Sequence, residues 1–292
     1  MWYATHDDMR CAARQVAGIA VALMLAPAAT PVRAQVSTNA RVSNLAANAA
    51  IGAVVAAARS VLGGRGVTRP VLLGAIGGVL QGTGRQVAAG RSTASGLVGR
   101  ELSALGISLA YSAGADSLIL IAPLGPITLE LRPHAEERLR ARVSLVDLAI
   151  IVSALADGHS DFDLASSLTA GAPVFTRPPG ETPLGYLGAG FTRIGVIFLA
   201  DGLPSARYRT ALSHESVHVL QWDAYDQLVA FPIERTIVQR LMGGASLPRF
   251  IDLGVLSPAA AFLLAEQIPY ERQPWEREAY LLTTGRPTPG PE

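Results

Sequence analysis

The chain contains no lysine, since all 24 of its basic residues are arginine. That removes a Walker-type phosphate loop, a Schiff-base lysine and a Ser–Lys nucleophile from consideration. It also marks a composition-biased chain, in which no single arginine signals function. Cysteine occurs once, as Cys11. Charged residues are 16% of the 292 positions, against about 25% in an average globular protein. The net charge of +1 gives no basic field to hold nucleic acid. Half of the residues are hydrophobic, so intrinsic disorder, which needs low hydrophobicity and high net charge, does not describe most of the chain.

The N-terminal stretch, residues 1–34, is expected to be a secretory signal peptide. Arg10 and Arg14 supply the positive region, Val16–Ala26 the apolar stretch, and Val32-Arg33-Ala34 ends in the small residue needed for cleavage. Cys11 lies inside it, so a mature chain from Gln35 carries no thiol. Disulfides, thiolate ligands and a cysteine nucleophile are then excluded. An exported chain without disulfides points to a bacterial periplasm or outer envelope.

Residues 35–116 are dense in Ala and Gly and read as helical, with helices over Asn44–Ser60 and Pro70–Gly82. Gly74, Gly78 and Gly82 are four apart, which lines them up on one face and lets helix backbones approach closely. Tight packing within a soluble helical hairpin, membrane association and self-association all fit that spacing. Only 17 uncharged residues separate Arg41 from Arg59 and 15 separate Arg69 from Arg85, fewer than the about 20 apolar residues of a full span.

Residues 117–292 mix strand and helix, so the expected class is α+β, mainly helical with a small sheet. Ser117–Ala122 and Ile127–Arg132 flank Pro123-Leu124-Gly125-Pro126 as a hairpin. Ser144 is placed to N-cap a helix that Gly158 stops. The Pro- and Gly-rich stretch Gly171–Gly190 reads as a long loop, a domain boundary or lid. A buried strand over Phe191–Ala200 follows, with Ile194–Leu199 expected at the sheet edge, where an extended peptide could add. Helices are then expected at Pro204–Leu228, Glu234–Met242, Pro258–Glu266 and Pro274–Thr284, the last closed by Gly285.

Ser213-His214-Glu215-Ser216-Val217-His218 contains H-E-x-x-H on one of these helices. Histidines four apart share a helix face, so both imidazoles can reach one zinc while Glu215 addresses its water. With 5 histidines and 12 glutamates in the chain, chance supplies roughly 0.003 such matches. A catalytic zinc takes three protein ligands and an open position, leaving the site one ligand short. No cysteine and no nearby histidine remains, so the third falls among the carboxylates Glu234, Glu266, Glu271, Glu276 and Glu278. Glu276 and Glu278 point about 200° apart on a helix, so only one of them can face a metal. Glu276, just after Pro274, sits in the first turn, where the helix dipole favours a carboxylate.

The segment resembles the catalytic helix of the zincin metallopeptidases. Gln221 stands where the metzincin extension has glycine, and no third histidine follows. Glu276-Arg277-Glu278-Ala279-Tyr280 resembles the Glu-x-x-Ala-Asp motif of CAAX-prenyl-protease-like metallopeptidases, with Tyr280 in place of the Asp. The resemblance, over about Pro204–Gly285, implies a zincin-like catalytic domain in residues 117–292. It implies zinc held by His214, His218 and Glu276, Glu215 as general base, and a peptide or protein substrate. Tyr208, Tyr270 and Tyr280 all stand as oxyanion donors. The competing expectation is a non-catalytic envelope protein, membrane-associated, whose metal is structural. Asp157, His159, Asp161 and Asp163 alternate like calcium-loop ligands but lack the EF-hand Gly and Glu, and read as an ordinary turn.

Overall fold

A computed structural model of the chain describes residues 38–62, 64–90, 92–115, 117–182, 185–187, 189–241, 250–255, 259 and 268–286. The expected signal peptide, the helix at Pro258–Glu266 and the candidate ligand Glu266 lie outside these residues, as does the side chain of Glu271. The architecture is α+β, and Val36–Glu292 form one compact unit.

Three helices come first: α1 (Thr38–Leu62), α2 (Thr68–Ala88) and α3 (Thr93–Ala113). They run longer than the expected segments because Gly82 and Gly84 stay inside α2. Two glycine seams hold them. A Cβ at Gly74 would collide with the Gly52 carbonyl, and one at Gly78 with the Asn48 carbonyl, so α1 and α2 meet backbone to backbone. On the other side of α2, a Cβ at Gly77 would sit 2.6 Å from the Gly106 carbonyl, and one at Gly84 2.5 Å from that of Gly99. Glycine spacing here serves packing inside the chain.

Two four-stranded sheets follow. The first is ordered β1 (Leu120–Leu124), β2 (Ile127–Leu131), β3 (Leu139–Ser144) and a short β10 (Ile251–Asp252). Its inner face packs Ile119 and Ile121 against Ile107, Ala110 and Tyr111 of α3 and Leu228. That face also buries Thr128, Glu130 and Arg142, while Leu120, Leu124, Ile127, Leu131 and Leu139 are exposed on the other. Ser144 caps α4 (Leu145–Ala156) as expected, accepting from the Asp147 N–H at 3.3 Å. The Asp147 side chain accepts from the Gly195 N–H at 3.3 Å, and burial pushes its carboxyl up to about 6.

The second sheet has the order β4 (Asp161–Phe162), β5 (Val174–Arg177), β9 (Val196–Ala200), β8 (Gly190–Arg193). Between β4 and β5 lies α5 (Leu164–Ala170), capped by Asp163. Two expectations fail here. The stretch Gly171–Gly190 is no plain loop: it contains β5, whose Val174 and Phe175 are core, and the ribbon of β6 (Gly180–Thr182) and β7 (Gly185–Leu187). Phe191–Ala200 is not one strand but a hairpin turning at Ile194-Gly195, with Ile194 at φ 56°. Consequently β9 is central and fully buried, and the sheet's edges are β4 and β8.

Helix α6 (Ser205–Tyr225) covers this sheet through Ala211, Leu212 and Val219 on Val174, Ile197 and Leu199. The chain does not break before Pro232. A π-helical turn at Asp226–Ala230 leads straight into α7 (Phe231–Leu241). Proline lacks an N–H and clashes with the carbonyl four residues back, and a π-turn is a way to accommodate that without ending the helix. The last helix, α8 (Pro274–Thr284), has Pro at its first position and Gly285 as a left-handed cap. It crosses α6 where Ala279, fully buried, meets Val217 and Ala89.

Candidate metal centre

Both histidines leave α6 on the side facing α8, and both are buried. Their Nε2 atoms are 3.1 Å apart. Glu276, in the first turn of α8, brings Oε2 to 3.4 Å from His214 Nε2 and 3.3 Å from His218 Nε2. Among the described residues these three form the group able to hold a metal ion. Atoms about 2.05 Å from a tetrahedral zinc stand about 3.3 Å from one another. The three edges of this triangle match that spacing. Glu276 Oε2 is moreover buried, with the two ring nitrogens at 3.3 and 3.4 Å as its polar neighbours, and a buried carboxylate oxygen is costly unless a proton donor or a cation faces it. Two imidazoles and one carboxylate are a donor set that zinc and other divalent first-row metals take.

The electrostatics point the same way. Burial raises the Glu276 carboxyl, but hydrogen bonding to His214 and His218 outweighs this and holds it far below the usual carboxylate range. Burial would depress the His218 imidazole, yet Glu276 and Glu215 push it up to about 9. The site attracts positive charge.

Glu215, also buried, is directed toward β8, where the Thr192 hydroxyl lies 2.8 Å from its Oε2 and 3.0 Å from its backbone carbonyl. Desolvation raises its pKa, opposed by the two histidines and Thr192. Gly190 lets β8 lie this close, since a Cβ there would stand 3.3 Å from Glu215 Cγ and 2.7 Å from Leu199 Cδ2.

Around the triangle, the Tyr280 ring stands against His214 with centroids 4.5 Å apart. The Tyr270 hydroxyl hydrogen-bonds Glu276 and Tyr280, and burial together with Glu276 raises its pKa strongly. Tyr208 is elsewhere, bonded at 2.7 Å to Asp163 Oδ2 and at 2.9 Å to Ser166. It borders a cavity of about 200 Å³ lined also by Gly90, Thr93 and Ser213. Comparison with protein-family models, curated proteins and solved structures finds no match. The reading of this centre therefore rests on its geometry.

The other carboxylates are engaged away from the triangle. Glu234 accepts from the Val255 N–H at 3.0 Å. Glu278 pairs with Arg85 at 3.0 Å and accepts from Gln221 at 2.8 Å. Asp157 pairs with Arg177 at 3.2 Å, and Asp163 is a helix cap. Sequence reasoning passed over Thr192, Gln221 and Arg85. Thr192 carried no signal, because its register on β8 depends on a hairpin hidden in an apolar run. Gln221 carried one: it is three residues past His218, on the same helix face.

Proposed function

We propose that the chain is an exported, zinc-dependent metallopeptidase. The observation that carries this reading is the triangle of His214, His218 and Glu276, with the spacing of ligands around one zinc, and a second carboxylate, Glu215, on the same helix held instead by Thr192. A zinc ion held there would supply an acidified water and polarise a peptide carbonyl. Glu215, whose pKa burial raises, would take the proton from the attacking water and pass it to the leaving amine. Tyr270, half-exposed beside Glu276, is the donor we assign to the developing oxyanion. An extended substrate adds to β8, the edge strand that runs past Glu215. Export rests on the arginines, apolar stretch and Ala34 of the N-terminal segment.

Metal analysis of the purified mature protein, with peptide hydrolysis by wild type and Glu215→Gln, tests this. The reading expects one zinc in both proteins and a loss of about 10²–10⁴ in turnover for the variant. Equal turnover in both removes Glu215 as the base.

One observation favours the second reading, a membrane-associated envelope protein whose metal is structural. Helix α1 carries a 22-residue stretch of high mean hydropathy, Ala40–Val61, which includes Arg41 and Arg59 and of which little is buried, with Val42, Ile51, Val54 and Val61 exposed. In that case Glu215→Gln changes nothing, while zinc removal unfolds the C-terminal half.

A further inference from the structure

The His218 ring is held from behind by a chain of buried polar groups that ends in the N-terminal helices. Its Nδ1 lies 2.8 Å from Gln221 Oε1. The Gln221 amide nitrogen donates both its protons, to the Trp275 carbonyl at 3.1 Å and to Glu278 Oε2 at 2.8 Å. Both of those partners can only accept, so the amide cannot be reversed and its oxygen must face His218. An oxygen there requires the proton on Nδ1. The Nε2 lone pair is then left pointing into the triangle, as a metal ligand needs.

Glu278 is fixed in turn. Arg85 of α2 donates from Nε to Glu278 Oε1 at 3.0 Å, and its Nη2 bonds the Asn48 Oδ1 of α1. The Asn48 amide nitrogen lies 3.5 Å from the same Glu278 oxygen. Arg85 and Asn48 are buried. They are brought there by the glycine seam, because Asn48 sits where Gly78 lets α1 touch α2.

We propose that Gln221 is the positioning residue that sets the His218 tautomer for zinc. Glu278, Arg85 and Asn48 hold Gln221 in place, so the helical layer α1–α2 is a working part of the metal centre. This rests on the zinc reading above and adds a role that the ligands alone do not contain. Gln221→Met keeps the length and bulk of the side chain but neither accepts strongly from Nδ1 nor donates to Glu278.

The test is zinc affinity by chelator competition, with the visible spectrum of the cobalt(II)-loaded protein and the ¹⁵N signals of the zinc-loaded imidazoles. Gln221→Met should weaken zinc by about 10–100-fold, the usual effect of losing such a partner. It should also shift the cobalt bands and abolish the hydrogen-bonded His218 Nδ1–H signal. A side chain that merely packs would move neither spectrum. Glu278→Gln, which keeps the size but loses one acceptor, should weaken zinc in the same direction by less, and carries the test if Gln221→Met fails to fold. Wild-type affinity and spectra in the variants, with zinc bound normally by wild type, overturn the positioning role alone. A wild type that binds no zinc overturns it together with the zinc reading. Weakened zinc in variants of a wild type without peptidase activity supports the positioning role and removes only the hydrolase.

Discussion

Two clusters of polar side chains buried among the described residues differ in how their charges are arranged. Around Arg142 the guanidinium meets Glu130 at 2.8 Å, Asp252 at 3.0 Å and the side-chain Oε1 of Gln227, with the Phe231 ring 3.7 Å away. Its charges find their partners within the chain, and it ties the first sheet to the π-turn after α6. Around His214 and His218 the two ring nitrogens and Glu276 Oε2 face inward on one another, 3.1 to 3.4 Å apart, with no oppositely charged group of fixed charge among them. The first cluster is a joint; the second is a candidate receptacle for a cation. Burial of polar groups alone does not mark function, whereas three ligand atoms converging on one point at metal-site spacing raise the question of a metal.

The largest expected effect breaks the joint. Arg142→Met removes the partner of Asp252 and of Glu130 Oε1, leaving Glu130 only its Arg132 pair, and should cost about 3–5 kcal/mol in denaturant unfolding, with or without zinc. Next comes the receptacle. Glu276→Ala should leave the zinc-free protein nearly as stable as wild type while weakening zinc by more than about 100-fold, beyond the range for outer partners. Saturating wild type with zinc at a hundredfold excess over Kd should add about 2.7 kcal/mol, a rise in Tm of roughly 5–10 °C that Glu276→Ala loses.

A third prediction concerns Asp147, which joins neither cluster. Its folded pKa of about 6 lies above the ordinary 3.8, so the folded state binds the extra proton between those values. The cost of the ionised form is full above about pH 6 and vanishes as pH falls toward 4. Asp147→Asn should therefore stabilise by up to about 3 kcal/mol at pH 7 and by almost nothing at pH 4. Equal effects at both pH values would show that ionisation is not the cause. The smallest effect is the surface contrast: Glu137→Ala, which removes the exposed 2.7 Å pair with Arg140, should change stability by about 0.5 kcal/mol or less.

Much of the centre was legible because helical periodicity is strict. His214 and His218 had to share a face, and Glu276, not Glu278, reaches them because two residues on a helix point apart. The α8 start at Pro274, its Gly285 cap and the Ser144 cap were readable for the same local reasons. The second sheet was not. β5 is four residues long between Gly171-Ala172-Pro173 and Pro178-Pro179, and its burial comes from pairing with β9, twenty-three positions on. The turn at Ile194-Gly195 hides in an apolar run because its first residue is β-branched, an unusual choice for a positive φ. The α2–α3 seam also went unread. Its glycines are seven apart, 77 with 84 and 99 with 106, so each pair spans two turns and meets its antiparallel counterpart.

Those seams limit how the chain can change under mutation. Every missense change at Gly74, Gly78, Gly84 or Gly99 adds at least a methyl group, and each would drive carbon into a neighbouring backbone. Compensation by a single second substitution is closed off, because the opposing atoms are main chain and have no smaller alternative. Such codons are dead ends for drift, and the freedom of the helical layer lies on its outer faces, at positions such as Val54 and Leu72. In a saturation mutagenesis experiment the seams should therefore emerge as rows tolerating glycine alone, running beside rows that accept nearly any helix former.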